Sequence, residues 1–278
     1  MALIIIFVLA GLWLLPGGVG AGPGLPLGAP PAAPSEAVNF PYFAPPAQMF
    51  LCGEPVPLNE PEVREDLDRE FVIEVWSRAQ TTMWLKRAHR YFPEIERKLR
   101  ARRLPLDLKY VAVVESDLRT LARSSVGALG PWQFMAPTAQ QLQLRSDKSI
   151  DERLHFGLST DAALTHLEYL HRLFGNWALA LAAYNAGQGR IQKAIAAQGV
   201  NNYYHLSLPE ETERYIFRIL AAKTIMEDPG RYGFAIPEEQ LYPPLAYDEV
   251  QFTVPQEIPV KRLAEASGTY YKVIKTLN

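Results

Sequence analysis

The stretch Lys109-Tyr110-Val111-Ala112-Val113-Val114-Glu115-Ser116-Asp117-Leu118 decides how the chain is read. An unbroken apolar run ends on one carboxylate, Glu115. Residues 109–116 are apolar nearly all round, which predicts a helix buried at the centre of a domain. A carboxyl held against apolar neighbours resists ionisation, and the partial negative charge of a helix C-terminus acts in the same direction. A carboxyl that stays protonated near neutral pH is what a general acid must be. The competing reading is ordinary: most glutamates are exposed, and Glu115 would then be a solvated residue at a helix end. Asp117 lies two residues on, so it points away from Glu115 and reads as a structural or capping group.

A glycine-rich segment follows at once, Ser124-Ser125-Val126-Gly127-Ala128-Leu129-Gly130-Pro131-Trp132-Gln133-Phe134-Met135. It is too rich in glycine to be a helix. Gly127 and Gly130 either let backbone approach a bulky ligand or simply make turns. The flanks read as helices. From Pro61 to about Arg103 the pattern is helical: Leu67, Phe71, Val72, Val75 and Trp76 recur at three- and four-residue steps, Trp84, Leu85, Ala88, Tyr91 and Phe92 continue the stripe, and Pro93 is expected to open a new helix. The basic run Arg97–Arg103 reads as a solvated face, with binding of an anionic polymer as the lesser alternative. Further helices are expected over 137–144, 151–174, 177–186, 188–197 and 209–228. Asp151 is the expected cap, and Gly157 and Gly175 the expected breaks. No strand alternation occurs between Pro61 and Gly230, so the fold class is all-α.

Composition sets the bounds. The chain has 278 residues, 48% hydrophobic and 21% charged, which is ordinary for a globular protein. Its net charge of −2 provides no drive toward nucleic acid. With Cys52 alone, neither an internal disulfide nor a thiolate cluster can form. The histidines show no metal-ligand spacing. His166 and His171 read as helix-surface residues, and neither metal nor cofactor is expected. Leu3–Leu15 is apolar but short for a membrane span, and Pro16-Gly17-Gly18 breaks it. Small residues follow, so residues 1–21 read as a signal peptide, although no Lys or Arg precedes Arg64. Retained, the segment would be an anchor associating the protein with a membrane. Residues 22–50 read as a Pro/Gly-rich linker. Cys52 lies too far downstream for lipidation and reads as a small buried hydrophobe. The expected location is outside the cytoplasm, in the periplasm or cell envelope. A folded domain is expected over 51–235. The extension 236–278 should hold a strand over 247–254 and short helices near 260–264 and 271–274.

Four motifs stand in order: Glu115-Ser116; Gly127 to Met135 with Thr138-Ala139; Ala183-Tyr184-Asn185-Ala186-Gly187; and Glu211-Thr212-Glu213-Arg214-Tyr215. Together they resemble the lytic transglycosylase catalytic domain of the lysozyme-like superfamily, over about Glu60 to Phe234. The resemblance implies a lysozyme-like helical domain in which Glu115 is the single catalytic acid/base. It implies that Ser116 supports Glu115 beside the substrate, that Gln133 and Met135 line sugar subsites, that Tyr184 and Asn185 face the cleft, and that Tyr215 reaches toward Glu115. It also implies cleavage of peptidoglycan glycan strands without water, yielding 1,6-anhydro ends, whereas ordinary glycosidic cleavage needs two carboxylates. Pro131 stands where the family usually has Leu or Ile. Trp132 and Trp177 could stack on sugars but read better as core. The tail faintly resembles an incomplete LysM-type glycan-binding module. Two alternatives remain open: a hydrolytic muramidase using Asp117 or another carboxylate, and a non-catalytic wall-binding module.

Overall fold

The predicted central helix is present. In the computed structural model, which describes residues 41–147, 150–246 and 258–277, α3 spans Lys109–Ser116 and buries Tyr110, Val111, Ala112, Val113, Val114 and Ser116. It ends abruptly. Asp117 and Leu118 both adopt left-handed backbone, at φ 55° and 57°. Their N–H groups fold back on the carbonyls of Val113 at 2.8 Å and Ala112 at 3.2 Å, satisfying groups a helix end otherwise leaves orphaned. Two adjacent non-glycine residues in that region are costly, so the surroundings must enforce the turn. They do: the Asp117 carboxylate accepts from the Trp84 indole at 2.7 Å and the Gln80 amide at 2.9 Å, and Arg87 donates to the Asp117 carbonyl at 3.0 Å.

Trp84, Gln80 and Arg87 come from α2, Arg78–Ala101, which follows α1, Pro61–Trp76. The break therefore falls at Ser77 and not at Pro93. Pro93 sits exposed inside α2, where its missing hydrogen bond falls on the solvent side. Buried Trp84 and Ala88 before it, and Ile95 and Leu99 after it, hold the helix through. At the real break, the Ser77 hydroxyl donates to the Ile73 carbonyl at 2.7 Å, and that of Thr81 to the Glu74 carbonyl at 2.7 Å.

The remaining body comprises α4 (Ala136–Gln141), α5 (Phe156–Phe174), α6 (Trp177–Ala186), α7 (Gln188–Gln198) and α8 (Glu210–Glu227). Helix α6 buries every residue from Trp177 to Ala183, and its alanines let neighbours approach closely. Helix α8 packs on α1, α3 and α6, bringing the last motif against the first. Trp132 and Trp177 are core residues, and the Trp132 indole donates to the Thr160 hydroxyl at 3.0 Å. Asp151 does not cap α5. Its carboxylate holds Arg153 at 2.6 and 2.8 Å, and the His155 ring caps instead, accepting from the Leu158 N–H at 3.2 Å. Gly157 lies inside α5, while Gly175, at φ 77°, ends it.

A two-stranded hairpin not expected from the sequence, β1 (Phe50–Leu51) and β2 (Glu54–Pro55), precedes α1. Its strands are too short for alternation to show. The Cys52 N–H donates to Asp107 at 2.7 Å, and Lys223 bridges Asp107 at 2.7 Å and the Phe50 carbonyl at 2.9 Å. The basic run after Arg97 is largely neutralised: Lys98 and Arg102 pair with Asp161, and Arg100 with Glu96. In the tail, α9 (Val260–Ala266) and α10 (Tyr271–Leu277) form where short helices were expected. The expected signal segment, most of the linker, and the strand over 247–254 lie outside the described residues. Among the described residues, no helix is long and apolar enough to cross a membrane.

The glycine-rich segment packs tightly against the turn before α5. At Gly130, φ is +81° and an added Cβ would lie 1.8 Å from the Arg153 carbonyl oxygen, whereas at Gly127, φ +91°, it would meet nothing within 4 Å. Gly130→Ala should therefore lower unfolding free energy by about 2–4 kcal/mol, and Gly127→Ala by about 1 kcal/mol from backbone strain alone. Equilibrium chemical denaturation of the two variants checks this; equal losses would contradict the close approach.

Candidate active site

Glu115 is the penultimate residue of α3, so its backbone belongs to the buried helix while its side chain keeps part of its surface open. Burial pushes its carboxyl up to about 7. Two effects pull the other way: a hydrogen bond from Tyr215 and the positive charge of Arg218. The charge of Glu211 adds to the rise. The Tyr215 hydroxyl donates to Glu115 Oε1 at 2.6 Å. Tyr215 is fully enclosed, and burial followed by the charge of Glu115 pushes its own ionisation well above the usual range. It is therefore a fixed proton donor to Glu115.

Beside Glu115, three side chains grip three carbonyls within residues 131–134 of the glycine-rich loop. The buried Ser116 hydroxyl lies 2.8 Å from the Pro131 carbonyl and 3.1 Å from that of Ala112. Its single proton serves the closer oxygen. The Tyr184 hydroxyl donates to the Trp132 carbonyl at 2.8 Å. Arg153, itself buried, donates to the Phe134 carbonyl at 3.1 Å. Leu129 and Phe134 exchange backbone hydrogen bonds, both at 3.1 Å, closing the loop on itself.

Gln133 rides on this frame with left-handed backbone, φ 50°. Its amide nitrogen donates to the Gly130 carbonyl at 2.8 Å, which leaves its side-chain oxygen as an acceptor. Met135 precedes α4 and is exposed. The Asn185 oxygen accepts from the Thr212 hydroxyl at 3.0 Å, tying the end of α6 to the first turn of α8 and leaving the amide N–H groups for a ligand. The structure thus joins Tyr215 directly to Glu115, and places Tyr184 within reach of its charge. Ser116 faces the loop backbone and no open space.

Comparison with known proteins bears on the same residues. Residues 93–207 match the transglycosylase SLT domain. That stretch holds Glu115, the glycine-rich loop and the Tyr184-Asn185 pair; Tyr215 lies just beyond it. Over 197 residues the chain is 33% identical to membrane-bound lytic murein transglycosylase D of Escherichia coli (strain K12), covering 69% of this chain and 43% of that protein. The chain therefore spans less than half of that relative. Over 116 residues it is 35% identical to peptidoglycan transglycosylase gp16 of Escherichia phage T7, covering 41% of this chain and 9% of that one. Among solved structures, the 70 kDa soluble lytic transglycosylase Slt70 of Escherichia coli aligns with TM-score 0.42 and 24% identity, over 51% of this chain and 24% of that chain.

Several residues that build the site gave no sequence signal. Arg153 holds the Phe134 carbonyl from 19 residues away, and nothing local marks it. His166, read as a surface histidine, packs its ring 5.7 Å from that of Tyr184, and burial lowers its basicity. Arg218 could have been found, since it lies one helical turn after Tyr215 and so faces the same way. The Tyr215 hydrogen bond favours the ionised form of Glu115, so removing it must raise the Glu115 pKa further. Tyr215→Phe should move the Glu115 titration upward from about 7, by about one pH unit, with the fold intact. A carbon-13 NMR titration of the Glu115 carboxyl reads this directly; a downward or absent shift would contradict the role of Tyr215.

Proposed function

We propose that the chain is a peptidoglycan lytic transglycosylase. It cleaves the β-1,4 bond between N-acetylmuramic acid and N-acetylglucosamine without water, with Glu115 acting first as acid and then as base. The observation that carries this reading is a single largely enclosed carboxyl, raised to about 7 and held by a buried tyrosine, inside an SLT-domain match. In its protonated form Glu115 gives a proton to the bridging oxygen as the C1–O4 bond breaks. The carboxylate left behind is stabilised by the Tyr215 hydroxyl. It takes the proton of the sugar's own C6 hydroxyl as O6 bonds to C1, closing a 1,6-anhydro ring. One proton is given and one regained, so Glu115 is restored without consuming water.

The other proposed roles rest on the motifs, and the exposed Met135, the Gln133 side-chain oxygen and the Asn185 amide N–H groups support them. Gln133, Met135, Tyr184 and Asn185 line the sugar-binding cleft. Ser116 and Tyr215 act through Glu115 and the loop. The glycan strand is the partner, and the protein works after export, in the periplasm or envelope. The N-terminal apolar segment is either removed or kept as a membrane anchor.

A second carboxylate is the requirement that separates a hydrolytic enzyme from this one. Asp117 is committed to Trp84 and Gln80. The exposed Glu211 is the acidic group whose charge reaches Glu115, and it is the candidate base for a hydrolytic route. Mass analysis of digested sacculi decides between them. The wild type should give 1,6-anhydromuramyl ends, Glu115→Gln should lose turnover by a factor of about a thousand or more while still binding glycan, and Glu211→Gln should keep the anhydro product. Reducing ends lost in Glu211→Gln or Asp117→Asn would establish hydrolysis instead. Because the acid form is needed to start the reaction, turnover should fall as pH rises above about 7.

A further inference from the structure

Helix α1 directs two buried glutamates toward α8, and α8 presents two arginines at the same spacing. The first rung is closed: Glu70, 1% exposed, takes Arg214 at 2.8 and 3.2 Å and Arg69 at 3.0 Å. The second is not. Glu74 is 4% exposed, yet no ion pair joins it to Arg218, and its Oε2 is buried with no hydrogen-bond partner among the described residues. Leaving a buried polar atom unpaired is costly, and such atoms call for an explanation. Arg218 is turned elsewhere. Its Nη2 donates to the Val114 carbonyl at 3.3 Å, at the C-terminal end of α3 and one residue before Glu115. A guanidinium there satisfies an orphan carbonyl and complements the helix dipole.

We infer that Arg218 is a positioning residue for Glu115, and that its positive charge is divided between Glu115 and the unpaired carboxyl of Glu74, so that Glu74 governs how strongly Arg218 favours the ionised form of Glu115. This rests on the role proposed above for Glu115. The charged groups around each acid are consistent with it. Glu74 is faced by Glu70 from α1, by Arg214 and Arg218 from α8, and by Asp117 from the turn after α3. Glu115 is faced by Tyr215, Arg218 and Glu211 from α8, and by Tyr184 from α6. Arg218 is the cation common to both sets. Burial raises Glu74 to about 7, as it does Glu115, and the charge of Arg218 pulls both back down.

The two partners give shifts of opposite sign, which simple loss of packing would not produce. Removing the arginine withdraws a stabilising charge from ionised Glu115. Removing the charge of Glu74 leaves the arginine acting on Glu115 alone. The Glu115 carboxyl should be titrated by carbon-13 NMR in the full chain, for the wild type, Arg218→Met, Arg218→Lys and Glu74→Gln. Arg218→Met should move the Glu115 midpoint up by about one pH unit, Arg218→Lys should keep it close to wild type, and Glu74→Gln should move it down. The alkaline limb of the pH–rate profile should follow in each case. A Glu115 midpoint unmoved in Glu74→Gln, or moved upward, overturns the proposal, and this variant decides it even if Arg218→Met fails to fold. The titration needs no substrate. A failure to find anhydro products would therefore sink the proposed reaction while leaving this test readable.

Discussion

The short hydrogen bond from Tyr215 to Glu115 joins residues 100 apart in the chain, and most of the architecture serves to make it possible. A carboxyl in a largely apolar setting must find a donor or stay neutral. Here it does both in turn. Burial holds it protonated near neutral pH, and the tyrosine is in place when it ionises. This needs α8 to lie against α3 with Tyr215 facing inward, and the packing of α8 on α1, α3 and α6 supplies that. Isolated from that core, an eight-residue α3 would be too short to persist as a helix.

The glycine-rich loop is a second layer built on the first. A loop without regular structure has carbonyls that must be satisfied if it is to hold one shape beside a ligand. Ser116, Tyr184 and Arg153 each take one of three oxygens lying within four residues, so the path of the loop is set by side chains from elsewhere. The proline at 131 fits this arrangement because only its carbonyl is used. Gly130 fits because no side chain could occupy the gap to Arg153. Gln133 is thereby aimed by its surroundings more than by its own backbone preference.

How much of this was legible depended on whether the information was local. The apolar run ahead of Glu115 announces a buried helix, and the run of alanines and leucines after Trp177 announces another, which forms with the expected bounds at Trp177–Ala186. Pro93 misled because its cost is local while the packing of Trp84 and Leu99 on either side of it is not. Asp151 misled because a nearby arginine outcompeted the helix N-terminus for its carboxylate. Of the site, the positions of Glu115, Tyr184 and Tyr215 followed from their motifs. Arg153 acts through a contact between segments far apart in sequence, and no motif carries it. The Cys52 turn lies in a hairpin of two-residue strands, too brief for any periodic signal.

The paired left-handed residues after α3 have a bearing on what variation the protein can tolerate. Because α3 stops within two residues of Glu115, and the stop is held by Trp84 and Gln80 from α2, the helix cannot lengthen or slide to accommodate change upstream. One residue inserted into α3 would turn every later side chain by about 100° about the helix axis. Glu115 would then leave Tyr215 while Asp117 left its own partners. Glu115 is therefore indexed in rotation as well as in position, and a change of length within α3 would break both sets of contacts.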